Sequence, residues 1–369
     1  MIGKEPKALP KGETVDDGCP CASAYCGCEP SSFYPITFEA LAESAQKCKR
    51  GVGWKDTVSY FILNWVRECM KLEEELMSGT YKERTPKFFT IREPKPREIV
   101  SISFRDRVYQ RSLNDNIIYP AITRSLIRNN FACQRGKGTL MARNAMREML
   151  RHHYRKFGTN GFAVKCDVKG YYPNMSHEEA KKCLARYIDG EALERACRIL
   201  DTYPSEVGYN PGSQILQLVG ISMLDPLDHC IKERLRIKGY IRYMDDFILL
   251  TKSRAEAEMC LEAIHEQLSA IGMELNAKKT KVISLTDAIR FLGFDFRLTP
   301  TGKVVTTIAP EKLKSERRKL KKLVNLVKLG TKTRAEVDRH YRDWCVHASY
   351  GNNTLSLRRM DKFYNDLWR

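Results

Sequence analysis

The chain lacks the apolar segments that would direct it into or across a membrane. Residues 1–7 are polar, so the apolar core of a secretory signal is missing. No apolar run approaches the roughly 20 residues that a membrane-spanning helix needs. Internal repeats and low-complexity tracts are also missing. We therefore expect a cytoplasmic protein with no membrane partner, in which thiols stay reduced.

Acidic residues are few relative to basic ones. The 369-residue chain has 63 Lys and Arg against 45 Asp and Glu, a net charge of +18. Such an excess favours a polyanionic partner, most simply a nucleic acid. The basic residues are spread over 82–107, 135–155 and 312–332. This spread predicts a charged channel or cleft rather than a sticky tail, although part of it will be solvated helix surface.

Thirteen cysteines divide into two groups. Nine are scattered singly, several in apolar periodic segments, and are most simply small core residues. The other four lie within ten residues of one another: Cys19, Cys21, Cys26 and Cys28. Four thiols this close could hold a structural Zn²⁺, although one residue inside each pair is a tighter spacing than usual. The alternative is a flexible, cysteine-rich leader without metal.

Hydrophobic periodicity along the chain predicts an α+β protein with an irregular leader over 1–35. Strands are expected at 88–91, 97–102, 161–168, 239–242, 247–250, 281–285 and 289–296. Helical patterns fill most of the intervening sequence, including 104–128, 140–154 and one long helix at 214–236. From residue 309 onward the pattern is helical and strongly basic.

Three acidic residues stand at the ends of predicted strands. Asp245 and Asp246 lie at the tip of a hairpin between apolar runs, and Asp167 ends the strand at 161–168. Carboxylates are seldom buried without a partner, and a turn that presents their oxygens suits Mg²⁺. The simpler interpretation of the pair is a polar hairpin tip. With Asp167 it forms the minimal set for a two-metal site on an antiparallel palm with helices on one face.

Four blocks in this order resemble those of the reverse transcriptases, RNA-directed DNA polymerases of the bacterial, non-retroviral kind. They are residues 162–172, 243–246, 275–280 and 291–294. The resemblance implies a right-hand polymerase fold of fingers, palm and thumb. We expect N-terminal helices and fingers over 36–160, a palm over 161–300 with finger helices inserted near 177–205, and a helical thumb over 301–369.

The resemblance also implies roles for residues around the acids. Two Mg²⁺ ions would be held by Asp167, Val168, Asp245 and Asp246. Tyr243 would lie beside the primer terminus. Tyr172 would be the aromatic gate that excludes a 2′-hydroxyl and so selects dNTPs, or else an ordinary aromatic residue of the palm core. Lys279 would protonate the departing pyrophosphate, or else be a solvated lysine at a strand end.

Basic and apolar residues outside the palm acids match further parts of the family's binding surface. Lys95 and Arg97 resemble the hairpin that clamps the triphosphate, where the Arg fork can bind two oxygens. Arg135 and Lys137, in a glycine-rich loop, resemble the segment that lies on the template strand. Phe291 and Gly293 resemble the primer-grip turn, buried against the thumb.

The segment before the predicted long helix departs from most of the family. Many members have a glutamine that touches the incoming nucleotide, and Pro211 stands at that position here. The reverse transcriptases of diversity-generating retroelements also lack this glutamine and carry a Ser-Gln pair further on. Gln217 matches that pair and Leu216 does not. The missing contact suggests lowered fidelity, with Pro211 and Gln217 beside the dNTP.

The resemblance therefore implies an enzyme that extends a DNA or RNA primer with dNTPs on an RNA template. The setting would be a retroelement of the diversity-generating type. Alternatives are an antiphage-defence or retron-like enzyme that uses a dedicated non-coding RNA, or a non-catalytic RNA-binding scaffold. A structured RNA and a small accessory protein are conceivable partners. The chain leaves no room for an RNase H domain, so we expect a polymerase core that depends on other factors.

Overall fold

The computed structural model describes residues 36–92, 96–210 and 212–369. Three helices come first: α1 (Phe38–Lys49), α2 (Asp56–Leu63) and α3 (Trp65–Met77). The Thr37 hydroxyl accepts a hydrogen bond from the backbone N–H of Ala40 and so caps α1. Strands β1 (Lys87–Ile91) and β2 (Arg97–Ser101) then pair antiparallel, with β1 exposed along its length, which confirms the two strands predicted there.

The helical block predicted at 104–128 is interrupted. It consists of α4 (Phe104–Leu113), a π-helical turn (Asn114–Ile118) and α5 (Tyr119–Ser125). The π-helical turn is a bulge between the two α-helices. The next helix, α6 (Thr139–Phe157), ends at Gly158, whose φ of 62° is readily adopted only by glycine.

The central sheet has four antiparallel strands in the order β4-β5-β3-β6. They are β3 (Phe162–Asp167), β4 (Gly239–Tyr243), β5 (Asp246–Thr251) and β6 (Lys281–Ser284). Every residue of β5 except Asp246 is buried, and so are Ala163, Val164 and Cys166 of β3, because α11 (Arg254–Ser269) packs against both strands. This is the antiparallel palm that the order of strands and helices predicted.

Between β3 and β4 the chain forms α7 (His177–Leu184), α8 (Gly190–Leu200), α9 (Gln214–Ser222) and α10 (Asp225–His229), followed by a π turn (Cys230–Arg234). The prediction of one long helix over 214–236 was therefore wrong. Pro226 lies in the first turn of α10. A proline there cannot donate to the preceding turn, so a helix starts at this point instead of continuing.

A second sheet, in the order β7-β8-β9, contains β7 (Ile289–Phe291), β8 (Phe294–Leu298) and β9 (Val304–Ile308). The periodicity predicted a strand over 289–296, the motif at 291–294 predicted a tight turn within it, and no strand was predicted at 304–308. A two-residue turn with positive φ at Leu292 (47°) and Gly293 (83°) divides the predicted strand 289–296 into β7 and β8. The region expected as an all-helical thumb therefore begins with β9, which pairs with β8.

Three helices follow, of which the first is strongly basic: α12 (Pro310–Lys328), α13 (Arg334–Ala348) and α14 (Thr354–Asp366). They pack around a small core of Leu320, Val337, Tyr341, Met360 and Tyr364. The helical pattern predicted from residue 309 onward is confirmed. Among the helices described, none is both long enough and apolar enough to cross a bilayer.

Candidate active site

The hairpin acids lie at a tight turn between two palm strands. Tyr243 pairs with Asp246, so Met244 and Asp245 form the two-residue turn, and Met244 has a φ of 58°. A non-glycine residue in this region costs about 1–3 kcal/mol and is held there by its surroundings. Asp246 also pairs with Asp167 on β3. The three acids predicted from separate parts of the sequence therefore lie on adjacent strands at one end of the sheet.

The environment of the two hairpin carboxylates disfavours their charged forms. Burial raises the pKa of Asp246 to about 6, Lys165 opposes this shift, and the charge of Asp245 adds to it. Burial, reinforced by the charge of Asp167, also raises the pKa of Asp245. The Oδ1 atom of Asp246 is buried and has no hydrogen-bond partner within the described chain, and its nearest cation is Lys165 Nζ at 3.7 Å.

Lys279 contacts the third acid directly. Its Nζ atom donates to both carboxylate oxygens of Asp167, at 2.8 and 2.9 Å. The backbone N–H of Asn276 donates to the Asp167 carbonyl, which fixes this loop beside the strand. The hydrogen bond to Asp167 raises the pKa of Lys279, so the ammonium stays charged. In the structure Lys279 is a partner of the acids rather than an isolated lysine in solvent.

The acids fit a hard divalent cation by their chemistry. As they stand, the described residues contain no group of three or more His, Cys, Asp or Glu side chains arranged to hold a metal. The buried, unpaired oxygen of Asp246 and the cation that Asp167 already binds nevertheless mark a site that requires positive charge. Asp167, Asp245 and Asp246 would hold Mg²⁺. Val168, the fourth predicted ligand, is buried beside them and its N–H donates to the Asp245 carbonyl at 3.4 Å.

Tyr172 follows β3 and packs against helix α9. Its hydroxyl is buried without a hydrogen-bond partner in the described residues. A Cβ atom on Gly220 would lie 2.7 Å from that hydroxyl, so only glycine leaves room for the ring. The neighbouring Tyr171 hydroxyl donates to the Gly220 carbonyl. The sequence pattern missed Gly220, although a glycine inside an apolar helix is the signal that could have revealed it.

Gln217 lies one turn before Gly220 on the same face of α9, with an exposed side chain. The Sγ atom of Cys133 contacts it, 3.8 Å from the Gln217 Oε1 atom, and lies 3.7 Å from the Met244 sulfur. Cys133 has a φ of 53°, another strained conformation. The structure thus brings Gln217 to the hairpin turn, together with Cys133, which the sequence did not predict.

A buried ion pair supports the turn from behind. The Arg242 guanidinium donates to Asp228 through Nε at 2.7 Å and Nη2 at 2.5 Å, and both side chains are fully buried. Its Nη1 atom donates to the Met244 carbonyl at 3.1 Å. Burial lowers the pKa of Arg242, but the Asp228 carboxylate, together with Tyr240 and Tyr171, outweighs this effect, so the pKa is raised. Sequence reasoning counted Arg242 as part of an apolar strand and missed this role.

The two cations of the glycine-rich loop are in different situations. Arg135 is exposed and stacks over the Tyr119 ring, with Asp115 at 3.6 Å. Lys137 instead turns inward, and its Nζ atom donates to the carbonyls of Arg128 and Asn130. Of the two predicted template contacts, Arg135 is therefore the more available to a phosphate.

The predicted primer-grip residues also differ in how accessible they are to a ligand. Phe291 is fully buried in the core between α6 and the second sheet, so its ring is not available to a ligand. Gly293 lies at the tip of the β7–β8 turn, and its carbonyl accepts from the N–H of Ala309. Tyr243 is half-buried against the same core. Any contact with a primer would come from the turn rather than from Phe291.

Several predicted residues lie outside the described part of the chain. Lys95 and Pro211 fall in its two internal gaps, and Cys19, Cys21, Cys26 and Cys28 precede residue 36. Arg97 is the first residue of β2, and its backbone pairs with Ile91. The zinc site and the triphosphate clamp therefore remain predictions.

Comparisons with known proteins identify the family of the segment that contains these residues. Residues 91–296, more than half of the chain, match the family model "Reverse transcriptase (RNA-dependent DNA polymerase)". The group II intron-encoded protein LtrA of Lactococcus lactis subsp. cremoris is 32% identical over 80 residues. This match covers 20% of the chain and spans only 13% of that relative's length.

Two telomerase structures resemble the chain at lower similarity. One is telomerase from Candida albicans with a fragment of telomeric RNA, at 12% identity and a TM-score of 0.46, covering 71% of this chain and 55% of that one. The other is apo telomerase from Candida tropicalis, at 13% identity and a TM-score of 0.46, covering 59% and 47%.

The family match includes Asp167, Asp245, Asp246 and Lys279, the side chains that meet at the end of the central sheet. The fold is accordingly the right-hand polymerase fold, with the four-stranded antiparallel sheet as its palm. The chain belongs to the reverse transcriptase family, the RNA-dependent DNA polymerases.

Proposed function

We propose that this protein extends a DNA or RNA primer with deoxynucleotides, using RNA as the template. The observation that carries the proposal is the pairing of Asp167 with Asp246 beside the Met244–Asp245 turn, in a chain of this family. A scaffold that only bound RNA would have no need for acids that repel one another at a buried position. The strained turn and its buried support serve the same arrangement.

The reaction joins the primer 3′-oxygen to the α-phosphorus of the dNTP and breaks the bond to the β-phosphate oxygen. Bound Mg²⁺ would supply activation of the hydroxyl and neutralisation of the phosphate charge. The carboxylates of Asp167, Asp245 and Asp246 would hold these cations at the end of the central sheet. Lys279, released from Asp167, lies close enough to the same site to give its proton to the departing pyrophosphate.

Selection of the sugar falls to Tyr172. Its ring lies between Tyr171 and Gly220 of α9, and burial, with a contribution from the charge of Asp245, raises the pKa of its hydroxyl. Because the Tyr172 ring cannot move aside, it leaves no space for the 2′-hydroxyl of a ribonucleotide. Gln217, Cys133 and Met244 line the adjacent surface and would contact the base or sugar of the incoming nucleotide.

For the biological setting we propose a retroelement of the diversity-generating type. Gln217 supports this branch, because it matches the glutamine of that branch's Ser-Gln pair and contacts Cys133, which lies beside the hairpin turn. A misincorporation assay on a defined RNA template tests the branch. Frequent errors support it, and ordinary fidelity contradicts it. A defence or retron-like role would instead show as one structured RNA that copurifies with the protein.

The polymerase proposal itself is tested with purified protein, Mg²⁺, a primed RNA of known sequence and dNTPs. Products whose sequence is complementary to the RNA support it. The absence of extension under conditions in which the protein is folded and binds the primed RNA contradicts it and favours the scaffold.

A further inference from the structure

A large groove runs along helix α6 where it packs beside strand β4. Its volume is about 1020 Å³, and it is lined by one face of α6, residues of the segment 128–137, the segment before β4, the end of β5 and the loop that follows β5. Seven basic residues line it: Arg128, Lys137, Arg155, Lys156, Arg236, Lys238 and Lys252. The carboxylates in the lining are those of Glu148 and Glu256.

Neither carboxylate neutralises these cations. Glu148 is already paired with Arg151, outside the groove lining. Glu256 accepts a hydrogen bond from the backbone N–H of Lys252 at the start of α11. Among the ion pairs of the described residues, none involves any of the seven groove cations, whereas the nearby Arg234 and Arg254 each have a glutamate partner. The groove therefore carries a strong, uncompensated positive charge.

Aromatic rings lie among the cations. Phe157, at the end of α6, is 39% exposed, and the Lys252 ammonium lies 5.3 Å from the centre of its ring. Lys137 lies over the ring of Phe131 in the same way, at 5.7 Å. Cations that track a phosphate backbone, combined with an exposed ring on which a base can stack, are the features of single-stranded nucleic-acid sites. An acidic protein surface would not require the exposed ring.

We propose that this groove binds a single-stranded RNA segment that lies outside the primer–template duplex. Gly239 and Leu250, which line the groove, pair four register steps from Tyr243 and Asp246, about 13 Å along the strands. The end of the groove that contains Lys238 and Lys252 therefore lies away from the catalytic end of the hairpin, whereas Lys137 lies in the glycine-rich loop at the other end. The inference rests on the proposed polymerase function and adds a second RNA contact to it, so that one RNA can be held at two places.

The test compares two probes in binding assays without dNTPs: a blunt RNA–DNA hybrid, and the same hybrid with a single-stranded RNA tail of about 16 nucleotides. The variant Lys238→Gln/Lys252→Gln removes two groove charges. The control variant Lys49→Gln/Lys71→Gln removes two exposed charges on α1 and α3. Thermal unfolding of each protein confirms that it is folded. A third variant, Phe157→Ala, removes the ring.

The tail should tighten binding to the wild type and to the control variant. It should tighten binding much less in the groove variant, and the slope of log affinity against log salt should fall by about 1.4 for two lost phosphate contacts. Phe157→Ala should also reduce the gain from the tail. Affinity for the blunt hybrid should stay the same in all four proteins.

Three outcomes overturn the proposal: a tail that adds no affinity to the wild type, an equal loss in the control variant, or full tail binding by the groove variant. The last would leave the groove to a different partner, such as an acidic protein. Because the readout is binding, it does not depend on catalysis. A protein that binds the tail through the groove but never extends a primer would contradict the polymerase proposal alone.

Discussion

The Lys279 ammonium bridges both carboxylate oxygens of Asp167, at 2.8 and 2.9 Å. Any divalent cation bound by Asp167 must compete with this ammonium for the same oxygens. The contact therefore keeps a charged proton donor at the catalytic end of the sheet and also opposes metal binding. The two effects can be separated by experiment.

Replacing Lys279 by glutamine should tighten binding of Mg²⁺ or Mn²⁺ severalfold, as measured by calorimetry without nucleotide, because the competing charge is gone. The turnover number for extension should fall by about 10²–10⁴-fold if Lys279 is the general acid. Lys281→Gln, an exposed lysine two residues further on, is the matched control and should change neither quantity. Unchanged metal affinity in Lys279→Gln would refute the competition.

Replacing Tyr172 by alanine should allow ribonucleotides to enter, because the ring no longer fills the space below the sugar. The ratio of kcat/KM for dNTP over rNTP should fall by roughly tenfold or more, equivalent to about 1.4 kcal/mol. The control is Tyr172→Phe, since the hydroxyl has no hydrogen-bond partner in the described residues and its removal should preserve the ratio. Equal selectivity in Tyr172→Ala would show that another group excludes the 2′-hydroxyl.

Breaking the Asp228–Arg242 pair should destabilise the fold strongly. Arg242→Met should lower the free energy of unfolding by about 3–5 kcal/mol, because it leaves a buried carboxylate unpaired. Adding Asp228→Asn should recover part of this loss, so the double variant should be more stable than the sum of the single changes predicts. Urea unfolding of all four proteins measures the coupling, and strict additivity would contradict a buried pair.

Asp246→Asn should stabilise the protein when divalent cations are chelated. The substitution removes a charge that is buried, incompletely paired and repelled by Asp245. We expect a gain of about 1 kcal/mol in the free energy of unfolding, at the expense of activity. Asp295→Asn is the matched control, because Asp295 is paired with Arg290 and its loss should destabilise instead. A loss of stability in Asp246→Asn would mean that the carboxylate is structural.

The sequence predicted the palm well for a physical reason. Apolar runs on both sides of residues 243–246 can only be buried if the chain turns there, which fixes the hairpin and its acids. Asp167 ends a strand of the same character, so antiparallel pairing brings it beside Asp246. Local pattern and tertiary pairing agree at this site, and the family resemblance covers the same residues.

Other features depend on contacts between distant segments. Arg242 lies in an apolar strand, and nothing local reveals that Asp228 neutralises it from the end of another helix. Lys279 meets Asp167 across 112 positions of sequence. Strand β9 is short and follows a turn, and it becomes a strand because β8 offers it an edge. Such pairings are set by the packed fold, so periodicity alone could not predict them.

The central claim is that Asp167, Asp245 and Asp246 catalyse RNA-templated addition of dNTPs, and single-turnover primer extension with Mg²⁺ tests it most directly. Wild type and Asp287→Asn, which changes an exposed aspartate at the opposite end of the central sheet, should extend the primer equally. Asp245→Asn should bind the primed RNA but extend it at least about 10³-fold more slowly, a loss of several kcal/mol of transition-state stabilisation. No extension by wild type, or full extension by Asp245→Asn, would contradict the account.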